Sequence, residues 1–201
     1  MRKVHSQKFA MPQIAWKLDR HHFHFAMTLN DHFRNLSSES PSDRGVAALV
    51  LNRSGIPEYE GAVRKMVLCE RHHLPLMTVS HLVVEWNDGT VGVLLDKTRD
   101  DRVVFTLLEA ARIQRRFVPP ERILDLLNDR SIFVRLAALK QAVASRAPID
   151  LVSHVDRLRE DAEAFEFLER PNMPSPVFRY KSKFLRLLAG IRWIILQRGA
   201  P

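Results

Sequence analysis

Residues 119–145, which read PPERILDLLNDRSIFVRLAALKQAVAS, hold the most informative pattern in this chain of 201 residues. Pro119 and Pro120 can begin a helix, because the first helical positions need no backbone donor. Apolar side chains recur at helical spacing on both sides of Asn128-Asp129-Arg130; they are Ile123, Leu124 and Leu127 before it, and Ile132, Leu136, Leu139 and Val143 after it. The pattern predicts a short helix, a tight turn and a second helix, which Ser131 can cap.

Within this stretch, Leu126-Leu127-Asn128-Asp129 followed by Val134-Arg135-Leu136-Ala137-Ala138-Leu139 resembles a HEAT repeat, the helical hairpin of many scaffold proteins. The resemblance implies a binding surface rather than a catalyst. One hairpin cannot bury its own apolar face, and repeat proteins need roughly three or more units. No second copy of the hairpin is evident in the sequence.

The N-terminal third is expected to begin with a basic, histidine-rich amphipathic helix within residues 1–36, since apolar residues recur there at spacings of three, four and seven. Residues 37–45 are polar and rich in turn formers, which indicates a linker. Residues 46–100 are expected to form a small α+β segment. Val46–Leu51 can be a buried strand, and Pro57 can begin a helix that ends by His73.

The central prediction for this segment is an antiparallel β-hairpin. Residues 76–86 and 90–95 are rich in valine, leucine, threonine and tryptophan, and they flank Asn87-Asp88-Gly89. Asp-Gly readily adopts the positive backbone angles that a tight hairpin turn requires. The sequence therefore predicts an α+β fold that is mainly helical, with a small antiparallel β-hairpin platform and a helical C-terminal half.

The C-terminal half is expected to form helices throughout. Residues 101–170 make a helical segment that contains the HEAT-like hairpin, and residues 171–177 make a proline-rich spacer. Residues 178–201 make a basic, hydrophobic helix. A chain of this length fits one compact body.

Composition favours a basic intracellular protein with a polyanionic partner. Lysine and arginine total 31 against 23 aspartate and glutamate, which gives a net charge of +8. Such a balance is typical of proteins that bind nucleic acid, anionic lipid or acidic proteins. The single cysteine, Cys69, excludes an internal disulfide framework, and no run of signal-peptide length is present, so the cytoplasm is the expected location.

The leading functional prediction is a non-enzymatic accessory protein that binds nucleic acid through its phosphate backbone, within a larger protein assembly. Basic residues are concentrated in the middle helices, where the candidates for phosphate contacts are Arg112, Arg115, Arg116, Arg135 and Lys140. Phosphate contacts dominate nucleic-acid affinity but carry no sequence information. No nucleophile motif, P-loop or dinucleotide fingerprint is present, so common cofactor chemistry is not expected.

Two alternatives remain open from the sequence. A metal-dependent hydrolase or nuclease would use zinc held by Cys69, His72, His73 and His81, although a single cysteine excludes paired zinc-finger spacing. A scaffold or peripheral membrane protein would use the last helix, with partner or membrane contacts from Phe184, Leu188, Ile191, Trp193 and Ile195. The identity of the partner and the oligomeric state stay open.

Overall fold

The computed structural model describes residues 27–69, 74–86, 88–164 and 181–198. Within these ranges the chain forms ten α-helices and no strand. Their bounds are α1 Leu29–Asn35, α2 Pro41–Arg53, α3 Pro57–Leu68, α4 Leu76–Glu85, α5 Asp88–Lys97, α6 Asp101–Ile113, α7 Pro120–Leu127, α8 Ile132–Ser145, α9 Leu151–Ala164 and α10 Lys181–Gln197.

The predicted α+β fold with a β-hairpin platform is wrong, because its two strands are the helices α4 and α5. In α4 and the residue after it, Val79, Leu82, Val83 and Trp86 are buried, and they follow the i, i+3, i+4, i+7 spacing of one helix face. Val91, Leu94, Leu95 and Thr98 repeat that spacing at α5. The β-branched content suggested strands, but burial of one face of each helix determines the observed structure.

The predicted strand at Val46–Leu51 is likewise wrong, since these residues lie inside α2. This helix begins at Pro41, within the stretch interpreted as a linker, and the Ser40 side chain accepts a hydrogen bond from the backbone of Asp43. Most of the predicted first helix and the whole proline-rich spacer lie outside the described residues. α1 covers only the end of the former.

The helices pack in a regular order along the chain. The even-numbered helices α2, α4, α6 and α8 lie side by side in sequence order, and α9 and α10 pack against each other and against α8. The odd-numbered helices α3, α5, α7 and α9 begin at Pro57, Asp88, Pro120 and Leu151, so successive starts lie 31 or 32 residues apart. A structural period of this length is typical of stacked helical hairpins.

Among the described residues, one hydrophobic core runs through the stack from Leu36 to Ile195. The central helices α6 and α8 are the most deeply buried, because each packs against two even-numbered helices as well as against at least one odd-numbered helix. The two helices predicted in residues 119–145 are present as α7 and α8, and they pack against each other. Ser131 occupies the N-cap position of α8, although its side chain makes no capping hydrogen bond.

Candidate anion-binding edge

Two of the five predicted phosphate contacts form an internal ion-pair cluster between α6 and α8. The side chain of Glu109 is only 6% exposed, and its Oε2 atom accepts hydrogen bonds from Arg112 Nη2 at 3.0 Å and from Lys140 Nζ at 2.6 Å. Burial lowers the pKa of Lys140, and the Glu109 carboxylate opposes that shift. Arg112 and Lys140 therefore neutralise a buried carboxylate.

A third predicted contact, Arg135, is also engaged inside the protein. Its side chain is 12% exposed, and its Nη1 atom lies 2.5 Å from a carboxylate oxygen of Asp161 on α9. This pair joins α8 to α9 across 26 positions of sequence. Three of the five basic residues are thus held in internal ion pairs, in which Glu109 and Asp161 offset two of the three positive charges.

The fourth residue, Arg116, belongs to a set of arginines at the C-terminal ends of the even-numbered helices. We call this side of the stack the C-terminal edge; it is formed by the ends of α2, α4, α6, α8 and α10. Arg116 Nη2 donates to the carbonyl of Val84 in the last turn of α4, at 3.1 Å. In the same way, Arg198 Nη1 donates to the carbonyl of Val143 near the end of α8, at 2.8 Å.

Further polar contacts link neighbouring helices along the C-terminal edge. Arg53 at the end of α2 binds Glu85 at the end of α4, with Nε to Oε1 at 2.7 Å. Gln141 Nε2 of α8 donates to the carbonyl of Arg116 at 2.7 Å. These contacts join C-terminal ends to one another, so the even-numbered helices run parallel. Positive side chains there also complement the negative ends of the helix dipoles.

Arg115 and Arg146 are the two arginines on this edge that internal contacts do not explain. Both are exposed, and their side chains make no hydrogen bond or ion pair with any residue in the described part of the chain. Both have left-handed backbones, with φ of 54° at Arg115 and 55° at Arg146. A residue with a Cβ in that region is strained by roughly 1–2 kcal/mol relative to the right-handed conformation.

The opposite edge, at the starts of α6 and α8, has a different charge balance. There Arg99 and Arg130 line a recess of about 390 Å³ together with Asp101 and Asp129. Arg122, in the same recess, lies 3.2 Å from Asp96 and donates to the carbonyl of Leu95. Acidic side chains therefore offset part of the positive charge on this side.

The predicted zinc ligands fall only partly within the described residues. Cys69 follows α3 and is partly buried, and His81 is exposed on α4. His72 and His73 lie outside the described ranges. Among the residues that the structure describes, no group of three or more histidine, cysteine, aspartate or glutamate side chains could hold a metal ion.

Four of the five predicted partner or membrane contacts on α10 face the protein core. Phe184, Leu188, Ile191 and Ile195 are between 0% and 8% exposed, whereas Trp193 is 63% exposed. Phe184 packs edge-on against Phe133 of α8, with ring centroids 6.3 Å apart. In the described ranges, no helix is both long enough and apolar enough to cross a bilayer.

One feature of the sequence could have revealed the C-terminal edge. Arginines occur at or just after the ends of four even-numbered helices, at Arg53, Arg115, Arg146 and Arg198. Their spacing becomes visible only once α4 is recognised as a helix.

No family model matches this chain, and no curated protein or solved structure matches it either.

Proposed function

We propose that this protein is a non-enzymatic accessory protein that binds the phosphate backbone of nucleic acid through Arg115, Arg146 and Arg198. The observation that carries the proposal is the pair of exposed, left-handed arginines at the ends of the adjacent helices α6 and α8. Neither guanidinium has an internal partner in the described part of the chain. Arg198, at the end of α10, adds a third exposed guanidinium beside α8.

The spacing of these arginines suits a phosphate backbone. Neighbouring packed helices have axes about 8–10 Å apart. A row of arginines at helix ends therefore presents cations at roughly that interval. Phosphates about three nucleotides apart along one strand of a duplex span a similar length, at about 3.4 Å of rise per nucleotide. The arrangement supports backbone binding without reading of base sequence.

Helix termination accounts for the left-handed backbones of Arg115 and Arg146, because the amides of the next residues, Arg116 and Ala147, donate to the carbonyls of Ala111 and Ala142. It does not account for the presence of arginine at both positions. A positive side chain at a helix C-terminus is favourable, but a glycine in the left-handed position ends a helix with less strain. The two arginines also lack the acidic partners that Arg112, Arg135 and Lys140 have. An external anion would supply the missing partner through charge-assisted hydrogen bonds.

The test is fluorescence anisotropy with labelled 30-nucleotide single-stranded DNA, duplex DNA and RNA, measured across a salt series. The test variant is Arg115→Asn, Arg146→Asn and Arg198→Gln together, because asparagine tolerates the left-handed conformation. The matched control, Arg99→Gln, Arg102→Gln and Arg130→Gln, removes the same charge from the opposite edge. We expect the test variant to lose at least about tenfold in affinity at low salt, and the control to lose much less.

Equal losses in the two triple variants would overturn the assignment of the site, since net charge alone would then explain binding. Failure of the unmodified protein to bind any of the three nucleic acids at about 50 mM salt would overturn the function itself. Circular dichroism and a thermal melt confirm that each variant is folded before its affinity is compared.

We further propose that the described helices form a stack of helical hairpins, in which the HEAT-like pair of α7 and α8 is one unit. The 31- or 32-residue period of the odd-numbered helices and the side-by-side order of the even-numbered helices support this proposal. Stacks of this kind present extended surfaces to partners. A scaffold role is therefore the second candidate function, with the exposed Trp193 of α10 as its contact to a partner protein.

A further inference from the structure

A cavity of about 430 Å³, which shares Arg146 and Arg198 with the C-terminal edge, lies where α8 ends and α9 begins, against the C-terminal end of α10. Its lining is mostly apolar and includes Val143, Ala147, Ile149, Val152 and Ile195. The volume lies within the range of about 300–1,000 Å³ that is typical of small-molecule sites. The cavity can therefore hold an aliphatic or aromatic group and shield it from water.

The charged residues of this cavity are two arginines and one aspartate. Arg146 has an exposed guanidinium with no internal partner in the described chain, and Arg198 uses Nη1 alone, for the carbonyl of Val143. The aspartate, Asp150, belongs to the start of α9, where its Oδ1 atom accepts from the backbone of Val152 at 3.2 Å. The lining therefore has a net charge of +1, and the negative side chain is already engaged.

We propose that this cavity binds a small amphipathic carboxylate, whose apolar chain fills the space between α8, α9 and α10 and whose carboxylate binds Arg146 and Arg198. Guanidinium groups bind carboxylates through paired, charge-assisted hydrogen bonds. The apolar lining distinguishes this ligand from a nucleic-acid phosphate, which has no group to fill the cavity. The cavity is a local depression between three helix ends, which suits a small molecule better than an extended peptide.

The proposal is tested by calorimetric titration of the full chain with octanoate, without nucleic acid. 1-Octanol tests the contribution of the charge, and butanoate tests the contribution of the chain. We expect octanoate to bind with a Kd below about 1 mM, and both probes to bind at least about tenfold more weakly. Octanoate should also raise the Tm of the protein, because it binds only the folded state.

Two variants test the two halves of the site independently. Arg146→Asn removes the guanidinium but tolerates the left-handed backbone, and it should weaken octanoate binding by about tenfold or more. Ala147→Phe places a ring in the cavity and should abolish octanoate binding while both arginines remain. Arg99→Gln on the opposite edge is the matched control and should bind octanoate normally.

The proposal is overturned if the unmodified protein shows no octanoate binding at about 5 mM, a concentration that would detect binding several times weaker than the expected Kd. It is also overturned if 1-octanol binds as tightly as octanoate, or if Arg146→Asn binds octanoate unchanged. Because the assay contains no nucleic acid, these outcomes are independent of the proposed backbone binding. If Ala147→Phe fails to fold, Arg146→Asn and the three probes still decide the matter.

Discussion

Replacing Glu109 by glutamine should be among the most destabilising single changes that preserve side-chain size. The Glu109 carboxylate is 6% exposed and is the partner of both Arg112 and Lys140. Glu109→Gln removes its negative charge and leaves two cations between α6 and α8 without an acidic partner. Breaking a fully buried pair costs about 3–5 kcal/mol.

The partial exposure of the two cations reduces this cost. The Arg112 side chain is 33% exposed and that of Lys140 is 22% exposed, so water can solvate part of each charge. We therefore expect Glu109→Gln to lower the free energy of unfolding by about 2–4 kcal/mol. For a chain of this size, that corresponds to a fall in Tm of roughly 5–15 °C.

The assay is urea denaturation at pH 7 and 25 °C, followed by circular dichroism and analysed by linear extrapolation. The matched control is Glu163→Gln, which removes the same group from the exposed pair of Arg159 and Glu163 on α9. That pair should contribute no more than about 0.5 kcal/mol. If Glu109→Gln costs no more than Glu163→Gln, the cluster is solvated, and its arginine and lysine become available for phosphate again.

Other parts of the fold give three further predictions. Phe184→Ala should destabilise the protein by about 3–5 kcal/mol in urea denaturation, because the side chain is fully buried against α8. The exposed Trp193 is the control, and Trp193→Ala should cost less than about 0.5 kcal/mol. Similar values for the two variants would contradict the packing of α10. Burial first, and then the charge of Arg157, lowers the pKa of His154 below 6.5. The unfolded chain therefore binds a proton at His154 more readily than the folded protein does. As a result, stability that is present above pH 6.5 is lost as the pH falls through the folded pKa. His154→Gln should therefore reduce the fall in urea midpoint between pH 7.5 and pH 5.5, and an unchanged fall would contradict this reasoning. Arg115→Gly should stabilise the protein by roughly 0.5–1 kcal/mol in a thermal melt, since glycine removes the left-handed strain at some entropic cost. The control is Arg102→Gly inside α6, which should destabilise the protein by about 1 kcal/mol. A loss of stability in Arg115→Gly would contradict the left-handed backbone at this position.

The hairpin of α7 and α8 could be predicted from sequence because its signals are local. Proline residues mark the start of α7, and Asn128 lies where α7 ends. The helices α4 and α5 were missed, since an Asp-Gly pair between β-branched residues also fits a hairpin turn. The decisive feature was the repeat of buried side chains at Val79, Leu82 and Val83, which follows helical spacing.

A repeated signal at the starts of the even-numbered helices was also available in the sequence. An Asp-Arg pair occurs at residues 43–44 in the first turn of α2, at 101–102 in the first turn of α6 and at 129–130 just before α8. Acidic residues at such positions complement the positive end of the helix dipole. The same pair also occurs at residues 156–157 inside α9, so it does not by itself define a recurring unit.

The partners of the basic residues could not be predicted from sequence. Glu109 and Arg112 are three positions apart on one helix, which is visible in the chain, but Lys140 reaches Glu109 across 31 positions. Arg135 reaches Asp161 across 26 positions. Counting charges along the chain therefore overestimated the positive surface of the middle helices, because packing of α6, α8 and α9 neutralises much of it.

The salt dependence of nucleic-acid binding separates the charge of the whole chain from the charge that the C-terminal edge makes available. If Arg115, Arg146 and Arg198 each neutralise one phosphate, a plot of log affinity against log salt for duplex DNA has a slope of about −2.7. If the full net charge of +8 took part, the slope would be about −7. The triple variant of Arg115→Asn, Arg146→Asn and Arg198→Gln should reduce the slope almost to zero. A steep slope that survives in that variant would show that phosphate contacts come from residues outside the C-terminal edge, and the proposed site would be wrong even though the protein binds nucleic acid.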